Sequence, residues 1–388
     1  MNILEHMDAR IELADEERML LDSLRALCRE QIAPRAEHFD RTGEFPWENI
    51  NAINALGLNA MFIPEAYGGA AMSYTAYLAC VREISKACAS TGIIWATNYH
   101  GMKPVMDWGD EAQKKRLLPR IAAGGLGALA ITEPGAGSDA TGMRTVFRAQ
   151  GDEIIVNGGK TFITNGDVAD LYLVFGKWEG IPGAKEAISV LVMEKGTPGL
   201  SVVRLEDKMG TRASSTAALA FDNCRIPRAN LLGNPGDGLR ILFASLNKSR
   251  PSVAAHALGI ARAAFEDAVS YINERRQSGK RILEFQGIQF MVADLAAELA
   301  LVESWLWRVA GWVDDGAKDF GIEASLLKMR ATDLAMRLTT DAVQLLGGYG
   351  YCKDYRMERL MRDAKITQIW EGTNQVHRQL IGRSFLRR

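Results

Sequence analysis

The change in hydrophobic periodicity along the chain constrains its fold more than any other feature of the sequence. From about Gly236 to the end, apolar residues recur with the period of an α-helix, and this pattern predicts three long amphipathic segments, 239–273, 284–315 and 322–346. Pro251 lies inside the first segment and is expected to kink it. The last part of the chain is therefore predicted to be helical.

The first third of the chain is also predicted to be helical. Apolar residues from Met19 to Cys28 recur at helical spacing until Pro34, which is expected to stop that helix. Another helix is expected to follow Ser73, a residue type suited to an N-cap. Asp110 with Gln113 three residues later has the pattern of a capping box and predicts a further helix.

The middle of the chain has a different pattern, which begins at about residue 127. Two strands are predicted at 154–156 and 161–164, with a hairpin turn at Asn157-Gly158 between them. Further short strands, separated by Gly- and Pro-rich turns, are predicted at 171–175, 188–193, 200–203 and 217–221. The sequence thus predicts a small β domain between two helical regions. It argues against a Rossmann fold, because no strand–GxGxxG–helix unit is present.

Composition excludes several classes of function. The formal net charge is −1, so nothing favours a nucleic-acid partner, which a basic surface would have to attract. The five cysteines are scattered, without a C-x-x-C pair or a nearby histidine at ligand spacing. They are predicted to be buried side chains in a reducing compartment, and no metal site is expected.

The sequence contains no signal for a membrane. No apolar run approaches the roughly 20 residues that a membrane-spanning helix needs. The first residues are rich in Asp and Glu, unlike those of a transit peptide, and a secretory apolar region is absent. We therefore expect a cytoplasmic protein without stable membrane association.

Two segments in the β region contain residues suited to ligand binding. The first, ITEPGAGSD at 131–139, combines glycines that let backbone N–H groups approach a ligand with the hydroxyls of Thr132 and Ser138. The second, KTFITNG at 160–166, places Phe162 and Thr164 on one face of a strand if alternation is regular. Those residues can stack on a flat ring and bond its edge. An ordinary glycine turn and a core-facing phenylalanine are the alternative interpretations.

Three further segments follow in the helical region. The cations of 275–280 lie at the end of a long helix, where they suit either a dinucleotide pyrophosphate or the helix dipole. The segment QLLGGYG at 344–350 is a helix end running into a glycine turn. In IWEGTNQ at 369–375, Glu371 is expected in a turn before a helix capped by Thr373, either as a general base or as a surface residue.

The order and spacing of these segments resemble those of the acyl-CoA dehydrogenase family over almost the whole chain. The resemblance is carried by ITEPGAGSD at 131–139, QLLGGYG at 344–350, LMRDAK at 360–365 and IWEGTNQ at 369–375. It implies a mostly α-helical fold with a central β-barrel, divided into an N-terminal α-helical domain (1–126), a middle β-barrel domain (127–236) and a C-terminal four-helix bundle domain (237–388). It also implies a homotetramer or a homodimer.

The resemblance implies roles for individual residues. Glu371 matches the base that removes the Cα proton of an acyl-CoA thioester while the Cβ hydride passes to flavin N5 of FAD. Positions that contact FAD in the family are matched by Leu129, Ile131, Thr132, Ser138, Phe162, Thr164, Arg275, Gln344, Gly348, Thr373 and Gln375. Gln344 and Gly348 match contacts from a neighbouring subunit. Contacts with the acyl-CoA substrate are implied for Ser138, Arg250 and Gly372.

The sequence departs from the family pattern at several positions. Leu129 stands where many members have tyrosine, Phe162 where tryptophan is common, and Ser278 where phenylalanine is frequent. These changes bear on FAD affinity rather than on the class of reaction. Some relatives carry the base on the kinked helix, but the corresponding residue here is Ser249, which has no carboxylate. That difference favours Glu371.

Alternative functions remain open within the same fold. The resemblance implies an electron-transferring flavoprotein as electron acceptor, whereas an acyl-CoA oxidase or flavin monooxygenase would use O₂. A non-catalytic acyl-CoA- or FAD-binding scaffold and an enzyme acting on acyl-carrier-protein thioesters are the other candidates. His100, Met102 and Lys103 fall near the segment that lines the acyl pocket in relatives, so Lys103 is either a partner for a second carboxylate or a solvated lysine. Trp370, beside the base, favours a short, branched or aromatic acyl group.

Overall fold

The structure is a computed structural model, which describes residues 3–386. These residues are mostly helical, with a curled half-barrel sheet between the helical regions, which confirms the predicted fold class. The N-terminal helices are α1 (Ile3–Asp8), α2 (Asp15–Leu27), α3 (Ala33–Thr42), α4 (Trp47–Ala55), α5 (Tyr74–Ala87), α6 (Ala89–Trp108) and α7 (Glu111–Ala122).

Two of the predicted N-terminal helix starts are confirmed and one predicted stop is wrong. Ser73 accepts a hydrogen bond from the Ala76 N–H at the start of α5, and Asp110 with Gln113 forms the capping box of α7. Pro34, however, does not end helical structure. A π-helical turn, Cys28–Ile32, connects α2 to α3 without a break in the helical backbone, and Pro34 follows it as the second residue of α3.

The middle region forms a seven-stranded mixed sheet. Its strands are β1 (Gly127–Ala130), β2 (Val146–Gln150), β3 (Glu153–Thr164), β4 (Leu171–Trp178), β5 (Ile188–Glu194), β6 (Leu200–Leu205) and β7 (Thr216–Pro227). The order is β1-β4-β2-β3-β7-β6, with β5 paired to β4. Strand β4 is buried on both faces, since Leu173 packs in one apolar cluster and Val174 in another. This explains its continuous apolar sequence.

The hairpin predicted at Asn157-Gly158 is wrong. These residues lie inside β3, which runs unbroken for 12 residues and pairs with β7. The ladder shifts register between Val156 and Gly158, and Gly158 has a φ of 143°. A Cβ at this position would lie 2.7 Å from Thr145 backbone. The Asn-Gly pair therefore marks a β-bulge, whereas the hairpin turn lies between β2 and β3.

The C-terminal region is built on long helices, as predicted. The elements are α8 (Gly238–Glu274), β8 (Arg276–Gln277), β9 (Lys280–Arg281), α9 (Gln286–Asp314), α10 (Gly321–Leu346), α11 (Gly348–Tyr351), α12 (Met357–Thr367) and α13 (Asn374–Ser384). The three predicted segments correspond to α8, α9 and α10. Helix α8 continues through Pro251 and shares one apolar core with α5, α6, α9, α10 and α12.

Two further predictions concern membrane-spanning helices and the burial of cysteines. Within residues 3–386, no helix combines the length and apolarity needed to cross a bilayer. Four cysteines are buried as predicted, but the prediction is wrong for Cys352, which is exposed after α11.

Candidate active site

Glu371 lies in a short turn between α12 and α13. The backbone there is left-handed, with φ of 53° at Glu371 and 94° at Gly372. Thr373 caps α13 by accepting a hydrogen bond from the Val376 N–H at 3.3 Å, as its sequence position predicted. A left-handed non-glycine residue costs on the order of 1 kcal/mol. The surrounding contacts must therefore stabilise this turn.

Lys328 of α10 provides the main contact to the turn. Its side chain is fully buried, and Nζ donates to the Gly372 carbonyl at 2.7 Å and to Asn374 Oδ1 at 3.1 Å. The Asn374 amide in turn donates to Asp333 Oδ1 at 2.7 Å. A Cβ on Gly372 would lie 3.1 Å from His377 Nε2. The turn is thus fixed from α10 on one side and from α13 on the other.

The Glu371 carboxylate points into the protein, with 15% of the side chain exposed. Ser249 Oγ of α8 donates to Oε2 at 2.7 Å, and His100 Nδ1 of α6 lies 3.9 Å from Oε1. Arg250 is buried next to Ser249 and donates to Asn247 Oδ1 at 3.0 Å and to Ser325 Oγ at 3.1 Å. Helices α6, α8 and α10 therefore converge on one carboxylate.

Burial lowers the pKa of the basic side chains near the Glu371 carboxylate. It lowers the pKa of Lys328 to about 7, and the negative charge of Glu371 opposes this shift. Burial also lowers the pKa of Arg250 and of His100, again with Glu371 acting in the opposite direction. Glu371 therefore faces two buried basic side chains and one imidazole whose neutral form is favoured.

A second group of predicted residues lies on the β sheet. Leu129 belongs to β1, and Ile131 and Thr132 follow it directly. The Thr161 N–H donates to the Thr132 carbonyl at 2.9 Å, and buried Lys160 donates to the Ile131 carbonyl at 2.8 Å. These bonds join the two segments 131–139 and 160–166 side by side. Ser138 is exposed on the loop before β2.

Phe162 and Thr164 lie at the end of β3, but their side chains do not follow the regular alternation of a β-strand. The pairing with β7 shifts register between Lys160 and Ile163, and Phe162 has a φ of 59°. As a result the Phe162 ring is 61% exposed, while Thr164 is half-buried. A core-facing Phe162, the alternative interpretation of this segment, is therefore excluded.

A third group lines an open groove at the end of the bundle. Arg275, Gln344 and Gly348 lie together in this groove of about 660 Å³, with the ends of α8 and α10 as its walls. The Arg275 guanidinium lies 5.8 Å from the centre of the Tyr349 ring. A Cβ on Gly347 or on Gly348 would meet no atom within 4 Å. The glycine turn therefore leaves its backbone accessible.

The predicted site residues thus fall into three groups, at Glu371, on the sheet and in the groove at Arg275. Arg250 and Gly372 lie with Glu371, Thr373 caps the adjoining helix, and Gln375 is exposed in its first turn. Sequence reasoning did not find Lys328, nor Ser249 as a partner of Glu371. A signal for Lys328 was available, because α10 carries a buried polar stripe on an otherwise apolar face, formed by Ser325, Lys328, Thr332 and Thr339.

Comparison with known proteins assigns the chain to a family. Models of the acyl-CoA dehydrogenase N-terminal, middle and C-terminal domains match residues 14–125, 128–224 and 236–386. The chain belongs to the acyl-CoA dehydrogenase family, whose members are oxidoreductases.

Individual relatives agree with this assignment. The chain is 42% identical to an acyl-CoA dehydrogenase of Bacillus subtilis (strain 168), over 97% of this chain and 99% of the relative. Butyryl-CoA dehydrogenase from Megasphaera elsdenii has the same fold, with a TM-score of 0.94, 38% identity and coverage of 97% of this chain and 99% of that chain. A chain in a solved structure described as the electron transferring flavoprotein of Acidaminococcus fermentans gives a TM-score of 0.93 at 40% identity, over 97% of this chain and 99% of that chain.

FAD is the cofactor of this family, and the residues present are compatible with it. In the groove, Arg275 offers a cation suited to a pyrophosphate, and the glycine turn offers accessible backbone for a further contact. The exposed Phe162 ring offers an aromatic surface beside the polar segment that contains Thr132. No buried side chain has to move to expose either surface.

Proposed function

We propose that this protein is an FAD-dependent acyl-CoA dehydrogenase in which Glu371 removes the Cα proton of an acyl-CoA thioester. The proposal rests on one observation. The Glu371 carboxylate lies in the interior on a turn held by Lys328, and the Ser249 hydroxyl of α8 donates a hydrogen bond to it. A proton acceptor must be positioned before its basicity matters.

The backbone of the turn supports this role. Proton removal requires a hydrogen bond to the thioester oxygen, where negative charge develops. Within residues 3–386, the Glu371 N–H makes no hydrogen bond, so it is available for that oxygen. Loss of one such donor typically costs about 3 kcal/mol. The same residue thus supplies both the base and a donor.

The remaining residues are proposed to bind and orient. When bound, FAD accepts the hydride that leaves Cβ. Arg275, Gln344 and Gly348 would hold its pyrophosphate and adenosine portion, with Gln344 and Gly348 supplied by a neighbouring subunit. Contacts to the rest of FAD are proposed for Leu129, Ile131, Thr132, Ser138, Phe162, Thr164, Thr373 and Gln375. Acyl-CoA would contact Ser138, Arg250 and Gly372.

The assembly and partners belong to the same proposal. A homotetramer or homodimer is supported by exposed apolar side chains on α9, including Phe290 and Leu301. Three domains, 1–126, 127–236 and 237–388, are proposed to meet around the cofactor. The solved neighbour named for an electron transferring flavoprotein supports such a protein as electron acceptor. A cytoplasmic location and a role in β-oxidation complete the proposal.

Anaerobic reduction tests the proposed reaction. We expect purified protein to be yellow and its flavin absorbance to bleach on addition of one or more acyl-CoA thioesters from a panel of chain lengths. Turnover should require an artificial acceptor or an electron-transferring flavoprotein. Substrate-dependent peroxide formation in air at the same rate would instead identify an oxidase, and a colourless protein would contradict the proposal.

A further inference from the structure

The side chains on the interior side of Glu371 bear on the acyl group, which the proposed function leaves open. Once the acyl Cα lies at the Glu371 carboxylate, the atoms beyond Cβ must lie against the neighbouring side chains. His100 is 3.9 Å from this carboxylate, and Trp370 directly precedes it in the chain. The His256 ring lies 5.6 Å from the Trp370 ring, centre to centre. His100 and Trp370 therefore adjoin the base, and His256 lies next to Trp370.

These three side chains contain unpartnered polar atoms. His100 Nε2, His256 Nε2 and Trp370 Nε1 are buried and make no hydrogen bond within residues 3–386. The two histidines are 3% and 0% exposed. The Tyr77 hydroxyl nearby is satisfied, by the Ala96 carbonyl and Ser252 Oγ. Buried polar atoms normally have partners among protein groups, water or ligands, so these three atoms are open to a bound molecule.

The hydrogen bonds of His256 determine what its free nitrogen can do. Ser85 has one hydroxyl hydrogen, which it donates to the Val81 carbonyl one turn earlier at 2.6 Å. The Ser85 oxygen therefore accepts from His256 Nδ1–H at 2.8 Å. Burial lowers the pKa of His256 to about 3, so the ring is neutral and has a single N–H. His256 Nε2 is thus an acceptor, whereas Trp370 Nε1 is only a donor.

We propose that the acyl group of the substrate carries a hydroxyl beyond Cβ, which donates to His256 Nε2 and accepts from the Trp370 indole N–H. This inference rests on the proposed function and specifies its substrate class. A hydroxyl satisfies a donor and an acceptor at once, whereas a ketone oxygen would face the imidazole lone pair and an alkyl group would satisfy neither.

A second carboxylate on the substrate fits this region less well than a hydroxyl. The two imidazoles favour their neutral forms and offer no positive charge. Lys103, the candidate partner for such a carboxylate, pairs instead with Asp107, which also binds Lys248 at 2.9 Å. Lys103 therefore already has a carboxylate partner within the protein.

Matched thioesters test the inference. δ-Hydroxyvaleryl-CoA and valeryl-CoA differ only in the hydroxyl, and we expect the former to have a kcat/KM for flavin bleaching at least about tenfold higher. Calorimetric titration of the Glu371→Gln protein should give the same order of dissociation constants, because that variant binds without turnover. γ-Oxovaleryl-CoA and glutaryl-CoA should show no such gain.

A variant and a matched control locate the effect. His256→Leu should abolish the preference, so that the two thioesters give equal kcat/KM values, whereas His38→Leu, at an exposed position on α3, should leave the preference unchanged. Equal or better use of valeryl-CoA by the wild-type protein would overturn the inference, independently of how any variant folds. If no thioester bleaches the flavin, the proposed function is wrong. The ratio of the two dissociation constants from calorimetry then still shows whether the pocket prefers the hydroxyl.

Discussion

At the residue scale, the candidate site depends on groups that act on Glu371 through the backbone. Lys328 lies 44 positions from Gly372 in the chain yet donates to its carbonyl at 2.7 Å. The motif at 369–375 was sufficient to identify Glu371, because all of its residues are adjacent in the sequence. Lys328 could not be found in this way, because its role depends on how α10 packs against the turn.

Lys328→Met tests this positioning role. The variant keeps an unbranched apolar chain but loses the donor to Gly372 and Asn374, so the Glu371 turn should become mobile. We expect kcat for flavin reduction to fall about 10- to 100-fold, as the loss of a charge-assisted hydrogen bond predicts, with FAD content and melting temperature nearly unchanged. Lys86→Met, at a partly exposed lysine of α5, is the control. Wild-type kcat in Lys328→Met would remove Lys328 from the site.

At the element scale, local signals predicted the starts of α5 and α7 and strand segments within β3 to β7, but not β1, β2 or the irregularities between elements. Ser73 and Asp110 acted as caps because capping needs only nearby backbone. The bulge at Gly158 depends on a tertiary contact, the close approach of Thr145 to Gly158. The Asn-Gly rule therefore failed inside a long strand paired with β7.

The helices of the two α regions are joined by a buried charge cluster. Glu303 of α9 is fully buried and accepts from Arg262 of α8 at 2.6 and 2.5 Å, with Arg82 of α5 at 3.5 Å. Glu303→Ala leaves two arginines buried without this partner. It should lower the free energy of unfolding by about 3–5 kcal/mol in urea.

Glu298 provides the control for this cluster. Glu298 lies on the same helix and forms partly exposed ion pairs with Arg330 and Arg337. Its replacement by alanine should lower the free energy of unfolding by at most about 1 kcal/mol. Equal losses for the two variants would mean that burial of Glu303 has no special energetic role.

At the scale of the whole molecule, buried imidazoles make stability depend on pH. Burial lowers the pKa of His256 and of His377 to about 3 in the folded state. Between that value and the ordinary histidine pKa of about 6.5, the unfolded chain binds more protons than the folded one, so stability rises with pH. Asp363 acts in the opposite direction, because burial raises its pKa to about 6.

We therefore expect unfolding free energy to decrease when the pH falls from about 7.5 to about 5. His256→Gln removes one such imidazole and should reduce that decrease by on the order of 1–2 kcal/mol, measured as urea midpoints at both pH values. His38→Gln, at an exposed histidine, should leave the decrease unchanged. An unaltered pH dependence in His256→Gln would show that this ring is not buried neutral.

The site is assembled from segments that are far apart in the sequence. The segments that contain Thr132, Phe162, Arg275, Gln344 and Glu371 were found as separate motifs, and the fold gathers them into three groups. Their grouping follows from the curl of the sheet and the convergence of α6, α8 and α10, which no local pattern encodes. The unsatisfied nitrogens of His100 and His256 are likewise visible only in the packed structure.

Anaerobic flavin reduction by the Glu371→Gln protein shows whether Glu371 is the base. The substitution keeps the shape and the backbone N–H of residue 371 but removes the base. We expect a yellow protein that still binds the acyl-CoA thioester that reduces the wild-type enzyme, with the rate of bleaching lowered at least about 100-fold. Bleaching at the wild-type rate would mean that a different residue is the base.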